Sequence, residues 1–130
     1  MKPNILFVFE DQMRGMDMGC AGNPDVKTPF MDRMAAEGVL GKRHYAVCPI
    51  CSPNRATMLT GAYPTTHRLL FNDTPMRFDL PSLGTIARAH GYRTGYVGKW
   101  HVDGGPRDGL EVFSGLISGV WLPKNAPAKE

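Results

Sequence analysis

Residues 46–61 read AVCPICSPNRATMLTG, with Cys48 and Cys51 three apart and Arg55 four beyond Cys51. Thiols at that spacing can form a redox pair or half a zinc site, and a single cysteine at a helix start can carry a nucleophile. Two other places hold polar groups at the ends of apolar stretches. Glu10 and Asp11 close the apolar run NILFVF, and Lys99 and His101 flank Trp100 in GYRTGYVGKWH. Read alone, the acidic pair is a solvated strand end, Lys99 a surface charge and His101 a loop histidine.

The alternatives for residues 46–61 separate on chemistry. As a redox pair, CPIC lies between a strand and a helix in a chain otherwise unlike the thioredoxin fold, and the motif by itself is weak. Zinc would need a second pair of ligands, and Cys20, His44, His67, His90 and His101 show no finger or ribbon spacing. In a cysteine-phosphatase loop the arginine would come later, after more glycines. Inert buried thiols are the default for an isolated Cys-x-x-Cys. If a helix starts at Ser52 or Pro53, however, Cys51 sits where free N–H groups and the macrodipole favour negative charge. Arg55 then projects from the same face one turn on, with a fork that fits sulfate or phosphate oxygens.

The elements that would position these groups alternate between strand and helix. The run over residues 4–9 has the pattern of a buried parallel strand whose C-terminal end carries Glu10 and Asp11, the end at which open α/β sheets place ligands. Thr28 as N-cap, Pro29 at the first helical position, Phe30, Met31 and Met34 on one face and Gly38 as a stop predict the first helix. A strand is expected over residues 39–46. The next helix has Ser52 able to cap, Pro53 in its first turn and Gly61 at its end, and a further helix spans residues 81–90. A strand through GYRTGYVGKWH would deliver Lys99 and His101 to one side and Trp100 to the other.

Composition sets the class. With 130 residues, 42% hydrophobic and 21% charged, the chain is one domain's worth of an ordinary globular protein. The net charge of +3 has no clustered basic stripe, so no nucleic-acid partner is expected, while small anions fit. No apolar run reaches membrane-spanning length, and no signal peptide is seen; as written the chain reads as cytoplasmic and without a membrane partner. Three cysteines argue against a disulfide framework.

Cys51-Ser52-Pro53-Asn54-Arg55 followed by Leu59-Thr60-Gly61 resembles the sulfatase signature. KPNILFVFEDQ, NPDVKTPFMDRMAAEGV and GYRTGYVGKWH match the same family in the expected order, so the resemblance extends over roughly residues 2–109. It implies an alkaline-phosphatase-like α/β fold, a mostly parallel sheet flanked by helices, here truncated. Residues 1–109 would be the N-terminal part of that domain and residues 110–130 a divergent tail.

The resemblance also implies roles. Cys51 would be oxidised to formylglycine by the formylglycine-generating enzyme. One hydroxyl of its hydrated aldehyde would attack sulfur and release the alcohol; the other would lose its proton, re-form the carbonyl and expel sulfate. Asp11, with Glu10 where many members have aspartate, would ligate Ca²⁺ or Mg²⁺ together with the modified Cys51. Arg55 would orient the diol, Lys99 would stabilise sulfate charge and His101 would help move the diol proton. The substrate would be a sulfate ester of a small molecule or a glycan. The pattern departs from the family after Asp108, where the only acids are Glu111 and Glu130, so the family's later pair of an acid with an amide or histidine, which completes the metal site, is not found. Two further readings follow: a catalytically inactive truncated domain, and a phosphoester or phosphonate hydrolase on the same scaffold. A parallel sheet short of strands is also expected to expose an apolar edge.

Overall fold

The computed structural model describes residues 3–77 and 79–102 and the backbone of residues 111–112. Two compact units divide the chain, Met1–Tyr45 and Ala46–Glu130. The tail expected from residue 110 lies outside the described residues, apart from that short backbone piece.

In the first unit, a single 3-10 turn, Gly19–Ala21, meets helix α1, Pro29–Glu37. Proline opens α1 because the first turn needs no N–H donor, and Gly38 follows its last residue. Thr28 holds the N-cap position, yet its hydroxyl does not cap the helix. It accepts from the Gly19 N–H at 2.9 Å and donates to the Asp32 carboxylate at 2.8 Å. Asp32 in turn accepts from the Cys20 N–H at 2.7 Å. These bonds fasten the 3-10 turn to the start of α1. A Cβ at Gly19 would stand 2.8 Å from a carboxylate oxygen of Asp32, so a larger residue there would displace that carboxylate.

The second unit holds helix α2, Cys51–Thr60, the single turn α3, Pro64–His67, helix α4, Leu83–Ala89, and strand β1, Gly95–Tyr96, parallel to β2, Glu111–Val112. Ser82 and Thr85 cap α4 reciprocally, side chain to backbone. Ala56, Leu69, Met76, Trp100 and Val102 form the core, with Leu59 and Tyr96 packed against it. Trp100 supplies the largest apolar surface, meets Tyr96 edge-on at 5.0 Å and donates its indole N–H to the Val102 carbonyl at 3.0 Å.

Helices follow the sequence expectations closely, whereas the sheet does not. Residues 4–9 and 39–46 form no strand, and in GYRTGYVGKWH only Gly95 and Tyr96 do. Ile5, Leu6, Phe7 and Val8 are exposed. A parallel strand exists only through neighbours brought in by long crossovers, so an apolar run specifies the potential for a strand and not the strand itself. After β1 the backbone leaves the pleat at Gly98, φ +109°, and at His101, φ +49°, so period-two alternation does not set the directions of Lys99 and His101.

Candidate active site

Helix α2 begins at Cys51 itself. Its N-cap position falls on Ile50, which has no side chain able to cap, and Ser52 lies inside the first turn. The expected cap by Ser52 is therefore replaced from elsewhere: the Ser52 N–H donates to Oδ1 of Asn72, 20 residues on, at 3.0 Å. Pro53 has no N–H to satisfy, and the Asn54 N–H makes the first helical bond, to the Ile50 carbonyl at 3.0 Å. Leu59-Thr60-Gly61 is the helix's ending. Gly61 adopts φ +69° and returns its N–H to the Thr57 carbonyl at 2.7 Å, the left-handed termination that glycine makes without a Cβ clash. Cys51 is thus fixed at the positive end of a helix closed at both ends, half-buried, with Cys48 and Cys51 both free thiols.

Arg55 is 5% exposed. One terminal nitrogen of its guanidinium donates to the Lys99 carbonyl and, at 3.3 Å, to the Tyr96 hydroxyl, which itself donates to the same carbonyl. This cluster ties α2 to the segment bearing Lys99 and His101, more than 40 residues away. The structure therefore brings Cys51, Arg55, Lys99 and His101 into one unit, with Arg55 as the joint between the helix and the later segment. Lys99 and His101 are half-buried. Nε2 of His101 lies 3.6 Å from Oδ1 of Asp73, while its Nδ1 is buried with no hydrogen-bond partner among the described residues. The Oγ of Ser52 is likewise buried and unpartnered.

Glu10 and Asp11 belong to the first unit, both exposed. As adjacent carboxylates they offer hard oxygen donors, but among the described residues no group of three or more histidine, cysteine or acidic side chains could hold a metal ion. The donor chemistry fits a share of a Ca²⁺ or Mg²⁺ shell, not the whole of it, since such ions take about six or more oxygens.

Two contributors escape reading from sequence. Asn72 and Asp73 lie in a turn, Phe71-Asn72-Asp73-Thr74-Pro75, whose composition signals a bend but not its destination. His67, fully buried beneath α2, pairs through Nε2 with the Thr57 hydroxyl at 3.1 Å and accepts at Nδ1 from the Leu69 N–H at 3.1 Å. Burial pushes its pKa below the ordinary value, so it stays a neutral strut between α2 and α3.

The sequence model of the sulfatase family matches residues 3–126. The chain belongs to the sulfatase family. An ulvan-active sulfatase of Formosa agariphila is 45% identical over 103 residues, covering 79% of this chain and 20% of that protein. A solved structure in complex with its substrate D-glucosamine-2-N,6-O-disulfate superposes with a TM-score of 0.77 at 33% identity, covering 85% of this chain and 22% of the other. The phosphonate monoester hydrolase of Agrobacterium radiobacter superposes with a TM-score of 0.68 at 28% identity, covering 80% of this chain and 24% of the other. These neighbours share the alkaline-phosphatase-like fold. The chain spans about a fifth of the length of the curated relatives it matches.

Proposed function

We propose that this chain carries the nucleophile-bearing part of a sulfuric ester hydrolase that cleaves a sulfate ester of a small molecule or glycan. The observation that supports this most strongly is Cys51 at the first position of α2, in the full Cys-x-Pro-x-Arg context, with Arg55 joining that helix to Lys99 and His101. The ulvan-active relative and the neighbour bound to a disulfated glucosamine support a sulfated sugar as one such substrate.

In this reading Cys51 is converted to formylglycine, whose hydrate supplies a nucleophile that can both attack sulfur and later expel sulfate. The N-terminus of α2 favours the anion before any side chain is counted, through the positive end of the helix dipole. Arg55, held rigidly by the Lys99 carbonyl and Tyr96, fixes where the later segment stands relative to Cys51 and adds positive charge in a water-poor setting. Lys99 offsets charge on the sulfate oxygens, and His101 accepts a proton from the hydrate. Asp11 and Glu10 would supply carboxylate oxygens to a divalent cation, Ca²⁺ or Mg²⁺.

The test is expression of the chain with a formylglycine-generating enzyme, mass analysis of the Cys51 peptide, and aryl sulfate turnover during a Ca²⁺ or Mg²⁺ titration. Conversion of Cys51 with metal-dependent turnover is expected; an unmodified thiol would overturn the reading. Conversion without turnover would favour a catalytically inactive domain. The phosphonate hydrolase neighbour motivates a second reading, phosphoester or phosphonate hydrolysis on the same scaffold. Faster turnover of an aryl phosphonate than of the matching aryl sulfate would establish it.

A further inference from the structure

His101 and Asp73 face one another from two segments that both depart from ordinary backbone geometry. Asp73 has φ +60° and His101 φ +49°, the left-handed region that side-chain-bearing residues enter only when their surroundings hold them there. Aspartate and histidine both enter that region more readily than most side-chain-bearing residues. The neighbour of Asp73, Asn72, is fixed to the N-terminus of α2 by the Ser52 N–H. The neighbour of His101, Trp100, is fixed in the core. Anchored on both sides, the carboxylate and the imidazole stand 3.6 Å apart, Oδ1 to Nε2. The separation is longer than a hydrogen bond, as such pairs often are before a ligand closes the site.

Resting on the sulfatase reading above, we infer that Asp73 is a positioning residue for His101. Its carboxylate holds the imidazole in the tautomer with the proton on Nε2, leaving Nδ1 as a bare acceptor. A neutral imidazole carries one N–H and one lone pair, and a carboxylate beside Nε2 selects which nitrogen is the donor. Nδ1 is then the free acceptor, and it is the nitrogen that is buried with no protein partner among the described residues. A buried, unpaired acceptor is costly unless a ligand's donor completes it. A hydroxyl at the nucleophile position is such a donor: its O–H proton passes to Nδ1, the oxygen keeps the bonding pair, and the imidazolium that results has its Nε2–H against Asp73. Asp73 is 82% exposed, so the pair adds little to stability. The carboxylate's role is orientation.

Long-range proton–nitrogen NMR of the imidazole rings reads the tautomer directly in the chain, independently of turnover. The His101 signals are identified by their loss in His101→Gln, and the buried His67 ring reports that the fold is kept. The expected wild-type result is a protonated Nε2 and an unprotonated Nδ1. Asp73→Ala should give a tautomer mixture and lower kcat for an aryl sulfate by about tenfold to a hundredfold with KM little changed. Asp73→Asn, whose amide oxygen can still accept from Nε2–H, should restore most of both. A proton on Nδ1 in the wild type, or a tautomer unmoved by Asp73→Ala, would overturn the inference. If Cys51 is never converted yet Asp73→Ala shifts the tautomer, the pairing stands and the hydrolase reading fails.

Discussion

Residues 3–45 and residues 46–102 achieve order by different means. The first stretch has no fully buried residue among those described; its fixed point is a hydrogen-bonded knot in which Thr28 and Asp32 hold the backbone of Gly19 and Cys20. The second wraps α2 around a small core of Ala56, Leu69, Met76, Trp100 and Val102, and buries Arg55 and His67 beside it. The nucleophile candidate sits in the region with the core, the metal-binding candidates in the region without one. A helix carries its own backbone hydrogen bonds, so it can present Cys51 using local chain alone. A carboxylate pair at the end of residues 4–9 would be placed by a strand, and a strand is placed by its neighbours.

The sharpest way to test this contrast is at its two ends. Replacing Cys51 with alanine should remove turnover by several orders of magnitude while leaving the melting transition in place, because the half-buried thiol is not part of the core. Replacing Trp100 with alanine should do the reverse kind of damage: about 3–5 kcal/mol of stability, read by urea unfolding, with the Lys99–His101 segment released from the helix. Arg55→Ala falls between them. It removes the charged donor from the half-buried Lys99 carbonyl, which keeps the Tyr96 hydroxyl, and should cost about 1.5–3 kcal/mol. Arg55→Lys should not rescue it, since a single ammonium cannot reproduce the planar fork.

His67 gives the core-bearing region a pH signature. Its native pKa lies below its unfolded value of about 6.5. Between those two values the unfolded chain binds more protons than the native one, so stability rises with pH there. The contribution is intact above about pH 6.5 and is lost as pH falls through the window toward the native pKa. His67→Gln should cost about 1–2 kcal/mol near neutrality through the lost Thr57 and Leu69 contacts, but flatten the acid side of the profile. Urea midpoints in steps from about pH 7.5 to 5 check it; parallel profiles for the two proteins would assign the acid loss to other groups.

What could be read in the residues divides along the same line. The start and stop of α1 and the end of α2 were written in Pro29, Gly38 and Gly61, because caps are local chemistry. The cap of α2 was not, because Asn72 reaches it from 20 residues away. Nor did spacing disclose that Arg55 would bond to the Lys99 carbonyl or that Asp73 would face His101. Those contacts depend on how Leu69, Met76 and Trp100 pack together. The apolar run at residues 4–9 had the period of a strand but could not specify its neighbours. Motif matching supplied Cys51 as a candidate through a signature, and the helix supplied the reason that residue stands at an anion-favouring end.

The smallest predicted effect bears on the region without a core. Asp32→Ala removes the acceptor for the Cys20 N–H and for the Thr28 hydroxyl, leaving half-buried donors to find water. Loss of a charge-assisted bond there is worth about 1–1.5 kcal/mol, because solvent can reach the vacated groups. Hydrogen exchange at the Cys20 amide should accelerate roughly tenfold, with the Gly19 amide less affected because the Thr28 hydroxyl remains. Gly19→Ala should act on the same knot from the other side, its Cβ driven against the Asp32 carboxylate. If both substitutions speed exchange at Cys20 while the amides of α1 beyond its first turn keep their protection, the knot is a local device. If exchange spreads along the whole of α1, these bonds hold the helix as well as the turn, and hydrogen bonding in residues 3–45 performs the service that apolar packing performs around Trp100.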